Sequence, residues 1–435
     1  MMSVVMAAGP SATASTSRRP VRRLPTRLQS AAPIGAPIAT LLAALLLTGP
    51  AHAQAPQTRA EALRQQRAEK AQALRPYTPS GLESAITVAE DKAMASLGRE
   101  GFHPKLGSLT TGSGFAFGAG FRSSPALKRY GTLNLWAAGS LRKYWAVEAR
   151  AIFPELAGGR LFAEGWATRR DYPQEDFFGI GPDAQRTDQV SFALNRTMFG
   201  ARGGVRPVRP LRIGGTVEYI RPTVGPGEDS RVPSIEARFD DVTAPGLLRQ
   251  PDYLLTSSFI EWDYRQPLNA RKGGWYRAEF SRYGDRDVGA YTYNRLDLDV
   301  RQFVPFLAER RVLAARAFMS TSDAATGQTI PFYLMPYLGG RDTLRGFREY
   351  RFRGPHTLLL QAEYRYEIWS GLDGALFYDA GKVGRQRSDL TLKHLERDYG
   401  FGFRFNTDNG VVVRLDAGFG SSDGKHLYIT FGGVF

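Results

Sequence analysis

The feature that most constrains this chain is a period of two. From about Gly112 onward, apolar residues recur at alternate positions in segment after segment. Phe115, Phe117, Ala119 and Phe121 share one side of an extended strand, and Gly114, Gly118, Gly120 and Arg122 share the other. Val147, Ala149, Ala151 and Phe153 alternate with Glu148 and Arg150, and Leu296, Leu298 and Val300 with Arg295, Asp297, Asp299 and Arg301. Leu358, Leu360, Ala362, Tyr364, Tyr366 and Ile368 alternate with Gln361, Glu363, Arg365 and Glu367. Val411, Val413, Leu415, Ala417 and Phe419 alternate with Arg414 and Asp416. Such a chain forms antiparallel strands with one apolar and one charged face.

Two architectures accept that pattern. A soluble sandwich packs its apolar faces together and turns the charged ones to water, whereas a membrane barrel turns the apolar face to lipid. Beyond the amino terminus no stretch approaches the run of about 20 apolar residues that a membrane helix needs. Yet the chain holds 47 Gly, 19 Tyr and 26 Phe with a mildly polar mean hydropathy of −0.31. A closed barrel reconciles these facts, because alternate apolar residues suffice and closure satisfies every backbone donor and acceptor. Aromatic-rich strand ends favour the membrane as well. There is no cysteine, so no disulfide framework stabilises the fold.

Fifteen strand-like segments start near residues 113, 131, 143, 158, 189, 211, 251, 273, 290, 309, 357, 373, 398, 410 and 426. Bacterial single-chain barrels use even strand numbers, and roughly 320 residues at about 20 per strand and connection predict about sixteen. The remaining strand is expected within 189–207 or 232–243. Polar connections at 173–188, 225–250 and 321–356 read as extracellular loops, and Gln266–Gly273 as a tight periplasmic turn.

The amino terminus reads as an export signal over residues 1–53. Arg18, Arg19, Arg22, Arg23 and Arg27 precede an apolar stretch at Ile38–Leu47, and Ala51-His52-Ala53 supplies a small-x-small cleavage site. Residues 54–100 follow as a short periplasmic leader of helical or flexible character. They are too few for an independent soluble domain, and residues 101–435 remain for the barrel. The whole chain carries a formal net charge of +15. Nucleic acid is not expected as a partner of an exported protein, which leaves anionic outer-membrane lipid, lipopolysaccharide or a cationic lumen as outlets for the surplus.

The carboxyl terminus closes on an amphipathic strand, with Leu427, Ile429, Phe431 and Phe435 on one face. Phe431 and Phe435 resemble the terminal signal read by the outer-membrane assembly machinery, which would then be a partner during biogenesis. A second resemblance lies at Pro336–Gly354, where Gly339-Gly340 precede Leu344-Arg345-Gly346-Phe347 and an aromatic, basic run. This segment resembles the sixth extracellular loop of the superfamily of BamA-type assembly factors and two-partner-secretion transporters, the bacterial surface antigen family. The likeness covers Pro336–Phe435 best. Asp176-Phe177-Phe178-Gly179-Ile180-Gly181-Pro182 and the run Phe102–Arg122 also look like barrel members of this group.

The resemblance implies an all-β, transmembrane antiparallel barrel of about sixteen strands whose sixth loop folds back into the lumen. It also implies that the loop arginine, Arg345, meets inward acids on the next strands. Parity places Glu363 on the polar face of the following strand, and Phe377-Tyr378-Asp379 matches the family's aromatic-x-Asp element. Arg345 is therefore expected to pair with Asp379 and Glu363 and to pack on Phe377. Gly346 would permit a tight tip and Phe347 fill the space beside it. About fifty residues cannot hold a client-receiving POTRA module, so the chain reads as a POTRA-less member.

Catalysis finds little support in the residues. His103, His356, His394 and His426 are scattered without metal-ligand spacing, and no Gly-x-Ser-x-Gly elbow stands in a strand-turn-helix context. Asp297 and Asp299 read as lumen charges matched to Arg295 and Arg301. No cofactor or metal is expected. The expected function is non-enzymatic insertion or translocation of an unfolded polypeptide client, or of lipid, across the outer membrane. The alternatives are a passive anion-favouring pore or structural barrel, and an outer-membrane hydrolase.

Overall fold

The structure is a computed structural model that describes residues 100–431, apart from 111, 124–130, 266–269, 308–309, 370, 408–409 and 422. Side chains of 406–407, 410–412, 421 and 431 are likewise outside the description. The expected signal sequence, nearly all of the leader and Phe435 fall outside these residues.

Alternation becomes strand throughout. The first eight strands are β1 (Gly101–Gly107), β2 (Ala116–Ser123), β3 (Thr132–Ser140), β4 (Trp145–Leu156), β5 (Leu161–Phe177), β6 (Val190–Val208), β7 (Leu211–Pro226) and β8 (Tyr253–Asp263). Then come β9 (Gly273–Asp285), β10 (Tyr293–Phe306) and β11 (Arg311–Ala324), and after them the two-residue β12 (Tyr337–Leu338) and β13 (Phe352–Arg353). Five more complete the chain: β14 (His356–Trp369), β15 (Leu372–Gly384), β16 (Glu396–Thr407), β17 (Gly410–Ser421) and β18 (Gly424–Phe431). Sixteen of these form one antiparallel sheet in sequence order. The order skips only β12 and β13, which pair with each other inside the connection from β11 to β14.

The burial pattern decides which way the sheet faces. On β15 and β16, Leu376, Tyr378 and Phe401 are 53, 46 and 48% exposed, while Asp379 and Arg404 on the opposite faces are 0 and 1% exposed. Apolar side chains outside and charged ones inside reverse the order of a water-soluble sandwich and match a lipid-facing barrel wall. On the inner face charges pair across strands. Arg150 bonds Glu148 and Glu164, and Asp299 receives Arg301 at 2.6 Å and Arg316 at 2.9 Å. Arg295 instead bonds Ser322 and the Leu334 carbonyl.

The sixteenth strand stands in neither predicted place. It is β1, ahead of the first segment the periodicity marks, while 189–207 is one long strand, β6, and 232–243 holds only a 3-10 turn at Ile235–Ala237. Pro104 lies in the middle of β1 and hides it from a strand pattern, but an edge strand needs no amide on its open side. Two expected loops are also shorter, because β5 runs to Phe177 and β11 to Ala324, and the one between β7 and β8 is displaced by two residues at unchanged length. Connections alternate in length, long at 178–189, 227–252 and 325–355 and short at 157–160 and 209–210. Long connections mark the extracellular end. They pack there on a small apolar core in which Phe332 meets Phe177 and Phe192, each at 4.9 Å between ring centres.

Candidate functional site

The connection from β11 to β14 turns back along the inner, polar face of the sheet. Its base is closed by the β12–β13 ladder, Tyr337 opposite Arg353 and Leu338 opposite Phe352. Gly339 and Gly340 follow with φ of 106° and 99°, a left-handed conformation that only glycine adopts cheaply. A Cβ on Gly339 would also stand 2.0 Å from the Arg348 carbonyl oxygen. The Gly340 amide then donates towards the carbonyls of Leu344 and Phe347, at 3.1 and 3.0 Å, and Thr343 Oγ1 accepts from the Gly339 amide at 2.9 Å. Leu344 and Phe347 pack with Leu338, Phe352, Leu359 and Val383, which seats the loop on β14 and β15 and aims residue 345 at the wall.

Arg345 is fully buried there. Its Nε donates to Asp379 Oδ2 at 2.7 Å and Nη2 to Asp379 Oδ1 at 2.8 Å, and Nη1 donates to Glu363 Oε2 at 2.8 Å. The guanidinium lies 3.5 Å from the centre of the Phe377 ring, which covers its face. Gly346 has an ordinary backbone conformation, and close approach explains it better than a tight tip. A Cβ there would come within 2.5 Å of Asp398 Cβ. The wall makes room in turn at Gly418, where a Cβ would stand 2.2 Å from the Arg345 carbonyl oxygen.

Residues that the loop motif did not point to complete the site. Arg404 of β16 reaches Glu363 Oε2 at 2.8 Å and Asp416 Oδ1 at 2.7 Å, and Arg414 Nε lies 2.9 Å from Asp416 Oδ2. Arg365 meets Glu363 Oε1 at 2.7 Å. Asp398 stands directly across the ladder from Asp379. The guanidiniums of Arg345, Arg365, Arg404 and Arg414 share the wall with the carboxyl groups of Glu363, Asp379, Asp398 and Asp416, none more than 5% exposed. Glu363, Asp379 and Asp416 pair with these guanidiniums, and an ion left unpaired in such a place costs several kcal/mol. Further along the loop, Arg414 Nη2 donates to the Arg341 carbonyl at 2.7 Å, and Tyr428 Oη donates to the Phe347 carbonyl at 2.8 Å. The loop therefore bonds strands from β14 to β18. Of the terminal residues, Phe431 sits in register with Val413.

This is a geometry for holding a loop, with no nucleophile set against a base. Among the described residues no three His, Asp or Glu side chains group so as to hold a metal ion. The fold is similar to BamA from Haemophilus ducreyi lacking POTRA domains 1–3, at 13% identity and a TM-score of 0.54. That likeness covers 80% of this chain and 78% of the other. CdiB from Escherichia coli is similar at 13% identity and a TM-score of 0.52, over 76% of this chain and 62% of its own, so the chain spans less than two thirds of CdiB. No curated protein sequence matches. Residues 267–423, which contain the loop and most of its wall, match the Omp85 superfamily domain.

Proposed function

We propose that this barrel inserts or translocates polypeptide at the outer membrane without enzymatic chemistry, and that the Arg345 loop governs its opening. The observation that carries the reading is the attachment of one loop, residues 339–347, to the inner face of β14–β18 through a buried ionic cluster. β1 and β18 are the two edge strands of the sheet, and no ladder joins them among the described residues. A strand paired on one side only opens more readily than a central one, and the loop is bonded to β18 itself through Tyr428. A shift of the loop would loosen the last strand, and a client segment could pair with the exposed edge.

The fold similarity to BamA and CdiB supports this class of function, and the client would be an unfolded polypeptide. Lipid and lipopolysaccharide would be the barrel's surroundings and the assembly machinery its partner during biogenesis. A passive pore would need an unobstructed lumen, against which the seated loop counts; small, flickering conductance in a planar bilayer is expected rather than a steady open channel.

The test is depletion of the protein followed by quantitative proteomics of purified outer membranes. A defined set of outer-membrane or surface proteins should fall, and return with wild type but not with Arg345→Ala. An unchanged proteome would end the assembly reading.

A further inference from the structure

A second polar chamber, of about 620 Å³, lies between the Tyr333–Arg353 part of the loop and the inner faces of β5, β6, β10 and β11. Six arginines and four carboxylates line it. The surplus is concentrated at one corner. Arg353, on β13, is only 2% exposed. Its Nη1 donates to the Phe332 carbonyl at 2.9 Å, but among the described residues Nε and Nη2 are buried without a partner and no carboxylate forms an ion pair with it. The rings of Tyr337 and Tyr350 lie 5.7 and 5.5 Å from its guanidinium and supply no negative charge.

A second irregularity borders the same space. Arg170 and Arg196 are direct cross-strand partners on β5 and β6, and like charges so placed destabilise a sheet. Glu175 Oε1 lies 3.6 Å from Arg196 Nη2, whereas Arg170 has no ion pair among the described residues. Glu175 and Arg196 also act electrostatically on Arg353. Among the described residues these three guanidiniums have one ion pair, Arg196 with Glu175, and Arg353 is buried, where an uncompensated cation is costly.

We propose that the chamber is a binding site for a small phosphate-bearing molecule, its phosphate seated among Arg353, Arg170 and Arg196. Two uncompensated positive charges match a phosphate dianion. Guanidinium donors arriving from separate strands and the loop suit a tetrahedral oxyanion better than a single planar carboxylate. The volume is that of a small-molecule site and too small for a whole lipid. The phosphate can be the free ion or an ester on a sugar. This inference is independent of the assembly reading.

Isothermal titration of the purified, detergent-solubilised barrel in chloride buffer tests it, with inorganic phosphate, glucose 6-phosphate and acetate as probes. Phosphate should bind, acetate should bind at least tenfold more weakly, and both Arg353→Gln and Arg170→Gln should weaken phosphate about tenfold. Tighter binding of glucose 6-phosphate than of phosphate would identify an ester as the ligand, and the reverse the free ion. Arg353→Gln also removes a bond to the loop; Arg170→Gln breaks none and decides the matter if the first variant does not fold. Absence of binding by both phosphate probes, equal binding of acetate, or unchanged affinity in Arg170→Gln would overturn the proposal.

Discussion

Arg345 and Asp379 face each other through two parallel hydrogen bonds of 2.7 and 2.8 Å, and neither side chain reaches solvent. Paired in this way the two ions offset each other's desolvation; separated, each is left in a poor environment. Arg345→Met and Asp379→Asn should each cost about 3–5 kcal/mol of barrel stability. The double variant should cost clearly less than the sum, with a coupling of about 1–3 kcal/mol. Guanidinium unfolding in detergent micelles measures this cycle, and a coupling near zero would remove the pair as the loop's anchor.

Glu363 accepts from three guanidiniums at once, those of Arg345, Arg365 and Arg404. Glu363→Gln removes the carboxylate that these three guanidiniums share and should cost about 3–5 kcal/mol. Asp342 contacts the same cluster through Arg414, but its side chain is 55% exposed. Solvent screens such a pair, so Asp342→Asn should cost less than about 1 kcal/mol. Equal losses in the two variants would contradict the view that burial sets the strength of this network.

The fold was legible because the charged and apolar faces are segregated at every second residue. Leu360–Ile368 and Val413–Phe419 show that segregation without interruption, so register and facing follow from parity alone. Parity also put Glu363 on the polar face, while Asp379 as a partner of Arg345 came from the resemblance of Phe377-Tyr378-Asp379 and of the loop to the family. The rest of the ionic cluster was harder to see. Arg404 stands in a strand rich in Gly and Phe, and Asp398 becomes relevant only once β16 is known to pair with β15. Arg414 and Asp416 do share a face in the sequence, yet nothing local connects them with a loop some 70 residues earlier. Strand β1 escaped for a different reason, since Pro104 interrupts a pattern that an edge strand need not keep.

Gly418 leaves the opening in the wall against which the loop tip rests, with the Arg345 carbonyl in the space a side chain would fill. Gly418→Ala should therefore push the loop off the wall while leaving the ladder between β17 and β18 able to form. Trypsin then reports the change. In the wild type Arg345 is inaccessible and cleavage after it should be slow; in Gly418→Ala it should accelerate at least tenfold. Unchanged protection at residue 345 would mean that the loop tolerates displacement without leaving the lumen wall.

The last strand is bonded to the loop as well as to β17. Tyr428 Oη donates to the Phe347 carbonyl at 2.8 Å, from a strand that has a ladder on one side only among the described residues. Tyr428→Phe deletes that bond and little else, at a cost of about 1 kcal/mol. Because β18 opens locally more easily than a central strand, the cost should fall on local opening rather than on global stability. Amide hydrogen exchange should quicken about fivefold in 424–431 and remain unchanged in β6 and β7. If exchange quickens uniformly across the barrel instead, loop and edge strand are not specifically coupled, and opening at the β1–β18 edge would have to be controlled from elsewhere.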